Sequence, residues 1–168
     1  MTAVGKQGLL RPMRWQDVEA VVALEQRSYP QTAWSSATWW AELAGRPRRA
    51  YLVHLDVGFD RGIAGYAGID IGGGDADLMT ITVDEEHRGT GVGARLLQGV
   101  HEQAIAAGAR HMLLEVRADN ASARRLYARN GYGAIGRREG YYPPDGVDAI
   151  VMRADLDRST SRTEGRAE

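Results

Sequence analysis

Apolar runs and alternation dominate the first half of the chain, and helical stripes appear from the middle onward. Leu9 to Met13 reads as a short first strand, with Pro12 suited to an edge position. Val18, Val21, Val22 and Leu24 recur at helical spacing, Glu25 follows them, and Asp17 stands where an N-cap is expected. The segment Ser28 to Trp34 breaks that helix. Ser35 or Ser36 caps a second one through Leu43, which Gly45 and Pro47 end. Ala50 to Val57 and Ile63 to Ile71 read as antiparallel strands joined by a Gly/Asp turn. Gly72-Gly73-Gly74-Asp75 then leads into a central strand at Leu78. Beyond a glycine-rich turn, Val92, Leu96, Leu97, Val100 and Ala104 form one stripe of a helix that stops at Gly108. Met112 to Val116 is short and apolar enough to be a central strand. A helix from Asn120 to Asn130 follows, closed by Gly131. Two last strands, near Tyr132 to Arg137 and Ala149 to Ala154, enclose an aromatic loop. The pattern predicts an α+β chain with a mixed sheet and helices on both faces. Residues 1–7 read as a loose tail, and the charged, Ser/Thr-rich stretch from Asp157 as a disordered one.

Composition narrows the class. A chain of 168 residues fits one domain with a full-sized core. Its net charge of −1 gives no electrostatic case for nucleic acid or a membrane surface. The absence of cysteine excludes disulfides, thiolate metal sites and a cysteinyl acyl-enzyme. His54, His87, His101 and His111 lack ligand spacing, so no metal is expected. There is no apolar run of membrane length and no signal-peptide pattern, which points to a soluble cytoplasmic protein.

The most informative stretch is Thr82-Val-Asp-Glu-Glu-His-Arg-Gly-Thr-Gly-Val-Gly93. An apolar strand running into a glycine-rich turn and then a helix gathers free backbone N–H groups and a positive helix end at one point. Arg88 adds a full charge. This order suits a phosphate, and the bland alternative is a tight strand-to-helix turn. A P-loop would need Lys-Ser or Lys-Thr where Ala94-Arg95 stands, and a dinucleotide fingerprint needs G-x-G-x-x-G.

Two side chains could carry chemistry. Glu115, in Leu-Leu-Glu-Val, is costly to bury unpaired in a central strand. It is either one half of a salt bridge to Arg117 or Arg88, or a carboxylate at the lip of a cleft that takes a proton from an amine, directly or through water. An α-ammonium, with a reference pKa of roughly 8, needs only modest help. Tyr127 follows Leu126, which can pack inward. It is either core filling or a phenol, of pKa about 10, able to protonate a departing thiolate.

Arg88-x-x-Gly91-x-Gly93 resembles the R/Q-x-x-G-x-G/A signature of the GNAT acetyltransferases, and Asn120-Ala-Ser-Ala-x-x-Leu126-Tyr127-x-x-x-Gly131-Tyr132 resembles a second element of that family. Leu114-Glu-Val-Arg-Ala-x-Asn120, Arg137-Arg138-x-x-Tyr141-Tyr142-Pro143 with Asp148-Ala-Ile-x-Met152, and Tyr29-Pro30…Trp34-Ser35 are similar to segments of its ribosomal-protein alanine N-acetyltransferase (RimI) group. These segments span most of residues 9 to 155 and imply a domain over 8–156 with the GNAT fold, a central, mostly antiparallel mixed sheet. The resemblance implies acetyl transfer from acetyl-CoA to a protein N-terminus, the N-terminal alanine of a small-subunit ribosomal protein, by direct attack in a ternary complex. It implies that backbone groups of Ile81, Thr82 and Val83 bind the acetyl and pantetheine end. Arg88, Gly89, Thr90, Gly91, Val92 and Gly93 would bind the pyrophosphate, and Asn120 the pantetheine arm. Glu115 would be the general base, Tyr127 the general acid, and Trp34, Tyr141 and Tyr142 the lining of the N-terminus slot. A monomer or weak dimer is expected, without metal, nucleic acid or membrane.

The chain departs from the group at Gly89, where a second basic residue is common, and at Thr80 and Thr82, where the group varies. Trp39-Trp40 belongs to no motif and reads as helix packing. The rival functions are acetylation of lysine side chains or a small amine, and a non-catalytic acyl-CoA-binding module. A dinucleotide-binding domain, with Glu115 on a ribose hydroxyl, fails on the glycine spacing and on the strand-rich first half.

Overall fold

The computed structural model describes residues 8–56 and 62–156. The elements run β1 (Leu9–Pro12), a 3-10 turn (Trp15–Asp17), α1 (Val18–Ser28), α2 (Ser36–Ala44), β2 (Arg49–Leu55), β3 (Ile63–Gly72) and β4 (Asp75–Val83). A second 3-10 turn (Glu85–His87) precedes α3 (Val92–Ala106), β5 (His111–Arg117), α4 (Ala121–Arg129), β6 (Gly133–Tyr142) and β7 (Val147–Asp155). The strands form one mixed sheet in the order β1-β2-β3-β4-β5-β7-β6. The expected tails at 1–7 and 157–168 and the turn after β2 lie outside the described residues. Internal contacts divide the chain into two units, Met1–Gly68 with Thr80–Val100, and Ile69–Met79 with His101–Glu168.

In the first unit, β1 pairs antiparallel with β2 from Leu9↔Leu55 to Pro12↔Leu52. Amphipathic α1 turns Val18, Val21 and Leu24 into a core shared with Met13, Trp39, Tyr51, Val53 and Tyr66. Trp39 is the centre of that core, with ring centroids 5.1 Å from Trp34, 5.3 Å from Tyr51 and 5.2 Å from Tyr66. Its neighbour Trp40 faces out and stacks on Trp15 at 6.5 Å, so only half of the Trp-Trp pair is helix packing toward the core. Ser35 caps α2 as expected, its hydroxyl accepting the Thr38 N–H at 3.2 Å. Asp17 stands at the N-cap position of α1 as expected, but its side chain turns back to the preceding turn instead of capping the helix. Its carboxylate accepts the Arg14 N–H at 2.7 Å and two bonds from Arg11 at 2.7 and 2.8 Å. The helical stripe on α3 is as the spacing predicts: Leu96, Leu97 and Val100 are wholly buried, each stabilising the fold by about 1.5–3 kcal/mol.

In the second unit, β3 turns into β4 at Gly73-Gly74, so β4 starts at Asp75, three residues before the expected Leu78. β4 pairs in parallel with β5 at Asp75↔His111, Ala76↔Met112 and Asp77↔Leu113. A parallel pair needs a crossover, and α3 supplies it. β5 goes on to Arg117, paired throughout with β7. Met112, Leu114 and Val116 point to the buried face, so the period of two turns Glu115 to the other one. The aromatic segment expected as a loop is the end of a strand. β6 continues to Tyr142, and only 143–146 connect it to β7.

Candidate active site

Within the first unit, β4 ends at Val83, and the 3-10 turn and Arg88–Gly91 lead into the N-terminus of α3. Gly89 and Gly91 sit at φ +72° and +89°, where L side chains are strained, and a Cβ at either would meet nothing within 4 Å. The loop surface is therefore open backbone. No acidic side chain occupies the first turn of α3, and Arg88 is exposed, held by its Nε to the Val83 carbonyl at 3.4 Å. Thr90 donates its hydroxyl to the His87 carbonyl. The chemistry of these residues fits a pyrophosphate: open backbone N–H groups, the helix dipole and a neighbouring arginine, with no acidic residue in the first turn of α3.

On the same unit, Thr82 is buried and donates its hydroxyl to Tyr29 Oη at 3.5 Å, while Ile81 and Val83 are half-buried. Trp34 is half-buried on the core ring of Trp39. Its N–H is accepted by Glu25 Oε1 at 3.4 Å, from inside α1.

The second unit gathers Glu115, Tyr141 and Tyr142. Glu115 pairs with Arg138, Nε to Oε1 at 3.0 Å, and not with either of the two arginines expected from the sequence. Arg117 is taken by Asp119 at 3.1 Å and Asp145 at 2.6 Å. The Tyr141 hydroxyl donates to Glu115, and this bond and the carboxylate's charge push its pKa up. Burial first, then Glu115 and Tyr141, raise Tyr142 as well. Arg138 lies 5.4 Å over the Tyr141 ring and Arg117 5.3 Å over the Tyr142 ring. Consecutive strand residues normally face opposite ways, yet these two rings meet edge-on at 5.1 Å. The register of β6 on β7 shifts between Arg138 and Tyr142, and that irregularity brings them together. Asp148 anchors the bend, accepting from Arg137 at 2.6 Å and from the Gly140 N–H at 2.8 Å.

Tyr127 is buried on α4, more deeply than Leu126, with its ring 5.7 Å from that of Tyr132. Tyr132 is hydrogen-bonded at 2.7 Å to His101 Nε2. Burial lowers the His101 pKa and raises that of Tyr132. Asn120 uses its side-chain oxygen to cap α4, accepting the Ala123 N–H at 3.1 Å. Sequence reasoning gave no role to Arg138, Asp148, Glu25 or the His101–Tyr132 pair. Arg138, Asp148 and Tyr132 carried a usable signal, each standing in a recognised segment, Arg138 three residues before Tyr141.

Among the described residues, no cluster of three or more His, Asp or Glu side chains is arranged for a metal ion. No helix there is long and apolar enough to cross a membrane.

Comparison with known proteins gives this geometry its frame. The profile of the acetyltransferase (GNAT) family matches residues 15–132. The N-alpha-acetyltransferase RimI of Mycobacterium tuberculosis is 38% identical over 126 residues, 73% of this chain and 75% of its own length. The ribosomal protein bS18-alanine N-acetyltransferase of Escherichia coli K12 is 32% identical over 138 residues, 81% of this chain and 89% of its own. The crystal structure of the ribosomal-protein-S18-alanine N-acetyltransferase from Escherichia coli superposes with a TM-score of 0.79 at 27% identity, covering 96% of this chain and 99% of that one. An open glycine loop at a helix N-terminus, a strand carboxylate among tyrosines and a match across most of the sequence agree: the chain belongs to the GNAT acetyltransferase family and is an N-acetyltransferase.

Proposed function

We propose that this enzyme acetylates the α-amine of a protein N-terminus, that of ribosomal protein bS18 with its N-terminal alanine, as the names of its relatives state for them. The observation that carries this reading is the Glu115 carboxylate, held by Arg138 and Tyr141 beside Tyr142. Acetyl-CoA supplies an acetyl group activated as a thioester. Backbone N–H groups of Arg88 to Gly93 hold its pyrophosphate, Ile81 to Val83 its acetyl end, and Asn120 its pantetheine arm. Glu115 takes a proton from the incoming ammonium, whose reference pKa of roughly 8 makes a carboxylate a sufficient base, directly or through one water. Arg138 and Tyr141 orient that carboxylate, and Tyr141, Tyr142 and Trp34 are the residues assigned to contact the amine substrate. N–H groups near Val83 polarise the carbonyl, and Tyr127 delivers a proton to the leaving sulfur. The attack is direct, in a ternary complex, and with no cysteine in the sequence a cysteinyl acetyl-enzyme is excluded. Residues 8–156 are the catalytic domain of a cytoplasmic monomer or weak dimer.

The test is acetyl-CoA turnover with short peptides beginning in Ala, Ser, Met or Gly, beside an N-blocked peptide containing lysine. Thiol release confined to free N-termini, fastest with alanine and lost in Glu115→Gln, supports the proposal. Release with the blocked peptide moves the enzyme to lysine substrates. Tight acetyl-CoA binding with no release from any peptide leaves a small amine or a silent binding module.

A further inference from the structure

Glu25 is the anomaly of the α1 core. It follows Val21 and Leu24 on the inward face of the helix and is only 6% exposed. One carboxylate oxygen, Oε2, is buried and has no hydrogen-bond partner. Burial pushes its pKa up. A leucine or methionine there would bury apolar surface without that penalty, so packing alone does not explain a carboxylate.

What the residue does is visible in its bonds. Its backbone carbonyl accepts the Tyr29 N–H at 2.8 Å, where α1 ends. Its side-chain Oε1 accepts the Trp34 N–H at 3.4 Å, five residues later. One residue thus ties both ends of the Tyr29–Trp34 segment, which closes on itself through a bond from the Thr32 N–H to the Tyr29 carbonyl at 3.1 Å. From this segment Tyr29 reaches Thr82, and Trp34 packs on Trp39. The side-chain tie holds the backbone of Trp34, while its ring is packed on Trp39.

We propose that Glu25 is a positioning residue for the acceptor substrate: it clamps the α1–α2 connection so that Trp34 presents a fixed wall to the incoming N-terminus. The inference rests on the reading of Trp34 as part of the amine slot. Glu25 touches no reacting atom and acts through Trp34.

The experiment compares Glu25→Gln, which keeps an oxygen for the Trp34 N–H, with Glu25→Met, which removes it at similar volume. Glu25→Met is expected to melt at or above the wild-type temperature, since it relieves a buried, half-satisfied carboxylate. It should raise KM for an Ala-starting peptide about five- to tenfold, the scale of one lost hydrogen bond, with KM for acetyl-CoA unchanged. Glu25→Gln should restore the peptide KM. Amide exchange at Trp34 should lose protection in the Met variant and keep it in the Gln variant. A Met variant with wild-type peptide KM and wild-type Trp34 protection overturns the proposal. So does a lowered melting temperature with both KM values rising together, the mark of a merely structural role. The exchange arm needs no substrate, so it decides the clamp even if no N-terminal peptide proves to be acetylated.

Discussion

Replacing Gly91 by alanine tests whether the backbone of the glycine loop is the acetyl-CoA site. Gly91 has φ +89° and open space around the position of a Cβ. No steric clash opposes the new methyl group, so the whole cost is backbone strain, about 1–2 kcal/mol for an L residue in the left-handed region. For a domain of this size that lowers the melting temperature by about 2–8 °C if the loop keeps its shape. If the loop escapes the strain by turning to another conformation, the fraction competent to bind falls by about 5- to 30-fold, and the apparent affinity falls with it. Gly108, at φ +90° beyond the end of α3 and also with open space, is the matched control. Its alanine variant carries the same strain outside the loop. Titration calorimetry with CoA and a thermal melt of both variants separate the two effects. Gly91→Ala should weaken CoA and Gly108→Ala should only lower the melting temperature. CoA binding unchanged in Gly91→Ala at unchanged stability, or weakened equally in both, would refute the assignment of the loop.

Glu115→Gln should lower kcat about 10²- to 10⁴-fold while CoA affinity stays as in the wild type. Its melting temperature should move little, because the pair with Arg138 is partly exposed and worth at most about 1 kcal/mol. Initial rates beside a melt check both. Tyr127→Phe keeps the ring packed on Tyr132 and removes only the hydroxyl, so steady-state kinetics should show a fallen kcat with the peptide KM unchanged. For Asp17, burial pushes the carboxyl up, but the Arg11 bonds and the Arg14 N–H outweigh it and leave the pKa lowered. A lowered folded value means the stabilisation is present above the unfolded pKa of about 3.9 and is lost as pH falls through the folded value. Acid unfolding followed by circular dichroism should therefore show a shallower loss of stability below about pH 4 in Asp17→Asn than in the wild type.

What could be read along the chain was local. Helix α3 was legible because its stripe from Val92 to Ala104 repeats at the helical period, and α4 because Asn120 and Gly131 punctuate it. The glycine loop was legible for the same reason: its open backbone is set by six consecutive residues. Glu115 was conspicuous as a charge in an apolar strand, but its partner was not, since Arg138 comes from another strand, 23 positions on, and no spacing rule joins them. The length of β6 was misjudged because Tyr141 and Tyr142 break the alternation that marks a strand, and only the register shift against β7 accommodates both. Glu25 looked like one more residue of an amphipathic helix. Sequence by itself determined most of the elements, the Ser35 and Asn120 caps and the open glycine turn before α3, all fixed by interactions within a few residues. Tertiary structure alone decided which cation holds Glu115, which tyrosine donates to it and which carboxylate is buried, because those depend on strand order, register and the exclusion of water from a core assembled across the chain.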